Sequence, residues 1–349
     1  MSRKKILFLD GTAGFYPTRL EDKPCGGILT SLTLIPQYLA KCGYDITVCS
    51  VWDIPESVNG VRYIRYIDRD LNGEQFDVVV FNRNLMSHIL VDYFKSAKKV
   101  WWLHDIVDYK YLEDDSFKAM DMIVSLSDYC SESYKEFYDI EVGKFRKITN
   151  GVDKSIFYPD PSIRDSNLFV CASAPVKGYY PLEFTFANLK RINPNVRLVM
   201  YSSQSLHDKD NGKAIDEQLN RYKLLGIDVK EPIGQKELAK VFREARALLM
   251  PNHYPEICSN LILQAQACGL PVITSNIGSA PEFIKHKQSG LLTKRYPHDM
   301  FLWWADFARL TVELQMEDKL FQTINRNSSV DVKSWDDVGA EWMILMEGL

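Results

Sequence analysis

The sequence predicts an α/β fold made of two doubly wound domains. Short apolar, β-branched segments alternate with longer amphipathic segments along the 349-residue chain, which is the pattern of parallel strands covered by helices. The pattern begins again near residue 160, after the proline-containing segment FYPDPSIRDS. A chain of this length is also long enough for two domains of ordinary size.

The first half of the chain is predicted to form a domain over residues 1–160. Its apolar runs predict strands at 5–10, 45–51, 61–66, 77–82, 99–104, 122–126 and 146–149. The amphipathic segments between them predict helices at 28–42, 85–97 and 128–138. Asp114 and Asp115 lie in a polar stretch and are interpreted as a solvated loop or a helix cap.

The second half repeats this plan over residues 161–333. Strands are predicted at 168–173, 196–202, 228–231, 247–251, 271–275 and 290–293. Helices are predicted at 179–191, 213–225, 235–245, 259–268 and 298–315. The last segment, 334–346, predicts a further amphipathic helix with Ser334 as its N-cap.

Composition narrows the class of protein. Hydrophobic residues make up 46% of the chain and charged residues 25%, as in soluble globular proteins. No run of eighteen apolar residues predicts a transmembrane helix, and the apolar stretch in MSRKKILFLDG is too short for a signal peptide. The seven cysteines form no C-x-x-C pair, which favours reduced thiols in the cytoplasm over disulfides or a zinc site.

The charge distribution bears on possible partners. The net charge is −4, so nucleic acid is not an expected partner. Residues 1–160 carry 20 basic and 24 acidic side chains, and the remainder carries 22 of each, so neither half supports docking on anionic lipid. The pair Trp303-Trp304 is interpreted as core plus surface. The alternative is that it faces lipid or a partner, and a lack of nearby positive charge argues against lipid.

Ligands of open α/β sheets bind beyond the carboxyl ends of the strands. In two such domains in tandem, these ligand-binding edges are expected to face each other across a cleft. In the first domain, Gly26 and Gly27 open a helix whose amides can approach an anion, although a plain strand-to-helix turn fits equally well. His104 ends a strand at the same edge and could donate to a sugar hydroxyl or a phosphate, and the alternative is a histidine satisfied by nearby backbone.

Two other turns carry candidate residues. Asn150-Gly151 is a strong turn signal, for which a structural turn is a sufficient reading. Lys177-Gly178 opens a helix after the first strand of the second domain. Its ammonium could lie beside a diphosphate at the helix start, with a solvated surface lysine as the alternative.

The most specific segment is PNHYPEICSNLILQAQACGLPVITSNIGSAPEFI, at 251–284. A loop carrying Glu256 precedes a helix that starts near Ser259-Asn260. A carboxylate beside free helix amides suits a hydroxyl-rich group attached to a phosphate, and that combination describes a sugar nucleotide. The alternative is that Glu256 caps the helix as an N-terminal acid.

These segments together resemble the retaining glycosyltransferases with the GT-B fold, and most closely family 4. GGILTSLTLIPQYLAKCGYDITV resembles the N-terminal glycine loop of that family, and TNGVDKSIFYP resembles its link between domains. The segment around Glu256 resembles its E-x7-E region. The resemblance covers nearly the whole chain, and it implies two Rossmann-like domains whose parallel sheets face across a cleft.

The resemblance also implies roles for individual residues. Glu256, Lys177 and His104 are the expected catalytic residues, contacting donor-sugar hydroxyls, the diphosphate and the transferred sugar respectively. The expected donor-binding residues are Gly26, Gly27, Asn150, Ile233, Tyr254, Cys258, Ser259, Asn260, Leu261 and Gln264. His253, Tyr254 and Cys258 are the residues expected to influence the choice of sugar. The closing helix containing Trp335 resembles the helix that crosses back to the first domain.

Two positions depart from the pattern of the family. Gln264 stands where the second glutamate of E-x7-E normally binds the ribose hydroxyls, so it can accept a hydrogen bond only without charge assistance. The segment VCASAPV at 170–176 lacks the arginine that usually precedes the lysine. One cation fewer weakens stabilisation of the leaving diphosphate.

The expected activity is metal-independent sugar transfer from a UDP- or GDP-sugar, with retention, to a hydroxyl of a glycan or lipid-linked acceptor. No cofactor is expected. The alternatives are a nucleotide-sugar epimerase or hydrolase on the same fold, or a non-catalytic subunit. The hypothesis requires that the Glu256 loop face the glycine turn at 26–27 across the interdomain gap.

Overall fold

The computed structural model describes residues 3–11, 25–50, 57–65, 73–83, 88–106, 115–173, 177–202 and 212–349. Its contacts divide the chain into two units. The first unit holds the N-terminal strand, Cys25–Gly151 and Lys333–Leu349, and the second holds Val152–Val332. The sequence placed residues 152–160 in the first domain, but Val152 and Phe157 are both 1% exposed in the core of the second unit.

The first unit is built on one sheet with strand order β3-β4-β2-β1-β5-β6-β7-β8. The strands are β1 Lys5–Asp10, β2 Asp45–Ser50, β3 Ser57–Val58, β4 Val61–Arg65, β5 Val78–Asn82, β6 Lys98–Trp102, β7 Met122–Ser125 and β8 Phe145–Lys147. The helices are α1 Gly27–Lys41, α2 His88–Tyr93 and α3 Asp128–Phe137. All described pairings are parallel except the edge pair β3–β4, so the carboxyl ends of the main strands share one edge.

The second unit has a parallel sheet with strand order β11-β10-β9-β12-β13-β14. The strands are β9 Leu168–Ala172, β10 Arg197–Tyr201, β11 Asp228–Lys230, β12 Ala247–Met250, β13 Val272–Thr274 and β14 Leu291–Leu292. The helices are α4 Pro181–Ile192, α5 Gly212–Leu224, α6 Gln235–Glu244, α7 Asn260–Ala267, α8 Ala280–Phe283, α9 Met300–Met316 and α10 Asp318–Ser328. Alternate residues of β9 enter two separate cores, because successive side chains of a strand point to opposite faces.

The last helix, α11 Trp335–Gly348, packs in the first unit. Ser334 caps it with a capping box, in which Ser334 and Asp337 satisfy each other's backbone amides. Gly339 lies against α1 so closely that an added Cβ would be 2.4 Å from the ring of Tyr38. On the other side, Trp342 packs edge-to-face against Trp102 with ring centroids 4.6 Å apart.

Arg164 ties two helices of the second unit together. Its Nη1 donates to the carbonyls of Phe242 and Ala245 at 2.8 and 2.7 Å, and its Nη2 donates to the carbonyl of Cys268 at 3.2 Å. These carbonyls lie at the ends of α6 and α7, where the backbone has no intrahelical donor. Burial lowers the pKa of Arg164 to about 10, so the guanidinium stays charged at neutral pH.

One predicted helix differs from the observed one, and three of the strands and α-helices were not predicted. The helix predicted at 85–97 is described from residue 88 and ends at Tyr93, because the amide of Ala97 closes a turn onto Phe94 and β6 starts at Lys98; residues 85–87 lie outside the described residues. The unpredicted elements are the strand β3 and the helices α8 and α10. Asp115 starts a short 3-10 helix that ends at Ala119, whereas Asp114 lies outside the described residues. Within the described residues, no helix is long and apolar enough to cross a membrane.

Candidate active site

Lys177 lies in the loop that follows β9 at the carboxyl edge of the second sheet. Gly178 has φ +108°, and a Cβ there would meet the ring of His253 at 2.0 Å. The amide of His253 donates to the carbonyl of Lys177 at 2.9 Å. Because β9 and β12 are neighbouring strands, the loops that follow them are adjacent. The absence of a side chain at Gly178 allows these two loops to come into contact.

Glu256 is fixed on its other side by the loop after β13. Gly278 has φ +58°, and a Cβ there would lie 2.6 Å from the carbonyl oxygen of Glu256 and 2.9 Å from its nitrogen. The amide of Ser279 donates to that same carbonyl at 2.9 Å. The loop after β13 therefore fixes the backbone of Glu256, whereas Lys177 contacts its side chain.

The side chains of Lys177 and Glu256 form an ion pair. Lys177 Nζ donates to Glu256 Oε1, and the two side chains are 27% and 16% exposed. Glu256 Oε2 is buried and has no hydrogen-bond partner among the described residues. Because a carboxylate only accepts hydrogen bonds, this oxygen is suited to a hydroxyl donor.

Tyr179 lies beside this pair and is fully buried. Burial, the neighbouring Cys171 and the negative charge of Glu256 raise the pKa of Tyr179 well above its usual range. The phenol therefore stays neutral beside the carboxylate. Its backbone carbonyl accepts a hydrogen bond from the hydroxyl of Tyr222 at 2.8 Å, which anchors the start of the segment that leads into α4.

The helix α7 starts immediately after the Glu256 loop. Its N-cap Ser259 makes no side-chain capping bond, and no acidic residue lies in its first turn. The two oxygens of Glu256 are accounted for by Lys177 and by the unpaired Oε2, so Glu256 does not cap the helix. The N-terminus of α7 follows the loop that leaves the carboxyl end of β12, and an anion is favoured at the N-terminus of a helix.

The other predicted donor-binding residues of the second unit occupy the same edge. Tyr254 is 45% exposed, and Cys258 is half-buried in the same loop. Asn260, Leu261 and Gln264 are half-buried on α7, with Asn260 and Gln264 one turn apart on one helix face. Ile233 is half-buried in the loop after β11, three strand spacings or roughly 14 Å from β12.

In the first unit, His104 lies two residues beyond β6 at the carboxyl edge. It is 8% exposed, and its Nε2 has no hydrogen-bond partner among the described residues. Burial, with a smaller effect of the charge of Arg83, lowers the pKa of His104 to about 3. The imidazole is therefore neutral, and it packs against Trp102 in a tilted arrangement with ring centroids 4.5 Å apart.

Two polar pairs at this edge were not identified from the sequence. Asn82 donates to Asp10 at 3.1 Å, and both residues are at most 1% exposed. Arg83, with φ +65°, makes a two-point contact with Asp105 at 2.6 and 3.1 Å. Each of these residues is the last of a strand or follows its end, and that position was the only signal available in the sequence.

The glycine and asparagine turns of the first unit are well defined. Gly26 is the N-cap of α1, and a Cβ added there would meet no described atom within 4 Å, so packing does not require glycine at this position. Asn150 is 4% exposed. At Gly151, a Cβ would meet the backbone of Ser334 at 2.8 Å, so this glycine serves contact with the start of α11.

The Lys177–Glu256 pair lies in a region that matches a known protein family. Residues 165–302 match the model of the family described as glycosyl transferases group 1. The match covers about two fifths of the chain. It includes Lys177, Glu256 and the start of α7, so the resemblance noted in the sequence is confirmed at the level of group 1.

A curated relative and two solved structures extend this comparison. A D-inositol 3-phosphate glycosyltransferase from Segniliparus rotundus is 29% identical over 189 residues, which cover 50% of this chain and 41% of that protein. Sucrose-phosphate synthase from Thermosynechococcus elongatus is 16% identical, with a TM-score of 0.80 over 99% of each chain. The Anabaena protein HepE in complex with UDP-glucose is 16% identical, with a TM-score of 0.73 over 99% of this chain and 100% of that one.

These comparisons confirm the fold class. The likeness to solved structures covers almost the whole chain, and the predicted α/β class with the GT-B fold is correct. The aligned part of this chain spans only about two fifths of the D-inositol 3-phosphate glycosyltransferase. The facing of the two sheets across a cleft, and with it the approach of Glu256 to Gly26 and Gly27, stays a prediction.

Proposed function

We propose that the protein is a retaining, metal-independent glycosyltransferase. It transfers a sugar from a UDP- or GDP-sugar to a hydroxyl of a glycan or a lipid-linked acceptor. The observation that carries this proposal is the Lys177–Glu256 pair, held by glycine-dependent contacts at the carboxyl edge of the second sheet beside the start of α7. The group 1 match over this region and the UDP-glucose bound by HepE support it.

The proposed reaction follows from the chemistry of these groups. The acceptor hydroxyl attacks the anomeric carbon of the donor sugar, the bond from that carbon to the diphosphate oxygen breaks, and the departing phosphate oxygen takes the acceptor proton. Lys177 and the first amides of α7 stabilise the negative charge on the leaving diphosphate. Glu256 holds sugar hydroxyls, and the neutral His104 contributes a hydrogen bond from the first unit.

The ion pair suggests how the donor enters. Before the donor binds, Lys177 and Glu256 neutralise each other. A sugar diphosphate offers an anion to the lysine and hydroxyl donors to the carboxylate, so both groups exchange one partner for another of the right type. Since the backbones of both residues are held by neighbouring loops, this exchange requires only side-chain movement.

The test measures donor binding and transfer separately. UDP-glucose and GDP-mannose are titrated by calorimetry, and transfer is followed by mass spectrometry of the released nucleotide and of the glycosylated product. Glu256→Ala should lower turnover by about 100-fold or more in a folded protein, whereas Lys177→Ala should chiefly weaken donor binding. Glu237→Ala and Lys240→Ala remove the same charges from exposed positions of α6 and serve as controls.

The outcomes separate the proposal from its alternatives. Transfer by both site variants at the wild-type rate would refute the assignments. Donor breakdown or isomerisation without an acceptor would identify a hydrolase or epimerase. The remaining alternative is a non-catalytic subunit, which is motivated by Gln264 and by the missing arginine. Such a subunit would be folded but would bind neither nucleotide sugar.

Transfer should be unchanged after treatment with a chelator, because the proposed reaction needs no metal. The location is proposed to be the cytoplasm, because none of the seven cysteines forms a disulfide.

A further inference from the structure

The segment between β14 and the first turn of α9 is exposed on the second unit. Every residue of 294–302 except Pro297 is exposed. Four of them are large apolar side chains: Tyr296 at 50%, Met300 at 48%, Phe301 at 76% and Leu302 at 50% exposed. We call residues 294–302 the apolar tip.

The tip is held firmly although its side chains point outward. Asp306, at 9% exposed, accepts the backbone amides of Lys294 and Arg295. The next residue of α9, Trp303, is buried and donates from its indole nitrogen to Ser275 Oγ at 3.0 Å. Because the backbone is fixed at both ends, the exposure of Phe301 and Leu302 is a property of the fold.

Positive charge adjoins the apolar side chains. Lys294 and Arg295 are exposed, and neither forms an ion pair with a described residue. Residues 294–302 contain these two cations and one acidic residue, Asp299, a net charge of +1 in a chain whose total is −4. The basic side chains at 285, 287 and 309 are paired with acidic ones. Lys294 and Arg295 therefore correct the interpretation that positive charge is lacking near Trp303-Trp304.

From these observations we infer that the apolar tip docks on the surface of an anionic lipid bilayer. Aromatic and aliphatic side chains beside lysine and arginine suit the boundary between headgroups and acyl chains. The tip has nine residues and four large exposed apolar side chains, whereas a standard protein interface takes about 20–30 residues from each partner. A bilayer can accept such a tip without a complementary pocket.

The position of the tip determines which edge of the second sheet would lie near the membrane. Thr293, which precedes it, donates its amide to the carbonyl of Thr274 at the end of β13. The tip therefore leaves the second sheet at the carboxyl edge, the same edge from which the Glu256 loop leaves β12. Docking would bring this edge near the membrane, which suits a lipid-linked acceptor, but the docking itself does not depend on the proposed function.

The test is co-sedimentation of the full chain with vesicles at low ionic strength. One set is phosphatidylcholine alone, and the other contains about one third phosphatidylglycerol. The wild type should bind the anionic set and not the neutral one. Lys294→Gln with Arg295→Gln should weaken that binding by roughly 30-fold, since each cation near the surface contributes about a fivefold effect. Phe301→Ser with Leu302→Ser should weaken it by at least about tenfold.

Matched controls remove equivalent groups elsewhere in the same unit. Leu224→Ser changes a leucine that is 87% exposed at the end of α5, and Lys240→Gln with Lys319→Gln removes two exposed charges. Both controls should bind like the wild type, and circular dichroism should show that all variants are folded. The inference is overturned if the wild type does not bind anionic vesicles, or if the tip variants bind as well as the controls. It is also overturned if the tip variants change only the oligomeric state in sedimentation velocity.

Discussion

Gly278→Ala tests whether the backbone clamp around Glu256 is what organises the candidate active site. Gly278 and Gly226 both have a left-handed backbone, at φ +58° and φ +83°. An added Cβ at Gly226 would meet no described atom within 4 Å, whereas at Gly278 it would lie 2.6 Å from the carbonyl oxygen of Glu256. Gly226→Ala is therefore the matched control, because it carries the conformational cost without the collision.

The magnitudes differ for a physical reason. A non-glycine residue in the left-handed region costs about 1–2 kcal/mol, and the reduced freedom of the unfolded chain returns about 0.4–1 kcal/mol. Gly226→Ala should thus lower the free energy of unfolding by about 1 kcal/mol. Gly278→Ala adds an overpacking cost of about 1–3 kcal/mol, and the atoms that must move belong to the backbone of Glu256.

Urea unfolding of both variants, together with calorimetry of UDP-glucose binding, provides the assay. Gly278→Ala should be the less stable variant by about 1–3 kcal/mol, and it should lose donor affinity or turnover because Glu256 is displaced. Gly226→Ala should keep both. Equal stability of the two variants, with unchanged donor binding by Gly278→Ala, would show that the contact between Gly278 and Glu256 has no functional importance.

Two further predictions concern buried ionisable groups. His104 has a pKa of about 3 in the folded chain against about 6.5 when unfolded, so its contribution to stability is complete above pH 6.5 and is lost as the pH falls toward 3. Between about pH 7 and pH 5, the free energy of unfolding of His104→Gln should therefore fall by about 2 kcal/mol less than that of the wild type, as measured by urea unfolding. An identical fall in both proteins would contradict this. Arg164→Met leaves three helix-end carbonyls without their donor, and it should cost about 3 kcal/mol. A cost no larger than that of the exposed control Arg191→Met would refute the capping role.

The sequence predicted the two functional loops but not their contact. Lys177 and Glu256 each follow a strand of a parallel sheet, so the strand pattern alone placed both at the carboxyl edge. The two loops meet because β9 and β12 are neighbours in the sheet. The local periodicity of a sequence does not predict the order of the strands. Gly278 stood within the segment quoted for its family resemblance, but its role depends on a loop 22 residues away from Glu256 in sequence.

The differences in the fold have the same origin. The edge strand β3 consists of two residues that pair antiparallel with β4, which is too short to give a periodic signal. The linker residues Val152 and Phe157 were placed in the first domain by chain position, and only their burial in a core of the second unit reassigns them. Long amphipathic segments such as α9 were predicted well, because their pattern extends over several turns.

Two of the buried polar atoms that lack a hydrogen-bond partner within the part of the chain that the structure describes are His104 Nε2 in the first unit and Glu256 Oε2 in the second. Each lies at the carboxyl edge of the sheet of its own unit. Such an atom costs about 1–3 kcal/mol in a protein interior, and folding alone gains nothing from it. Both atoms stand where open α/β sheets bind ligands, and both can be satisfied by a hydroxyl group. A hydroxyl-rich ligand that fills either position relieves that cost, so it should bind the folded chain in preference to the unfolded one and raise its melting temperature.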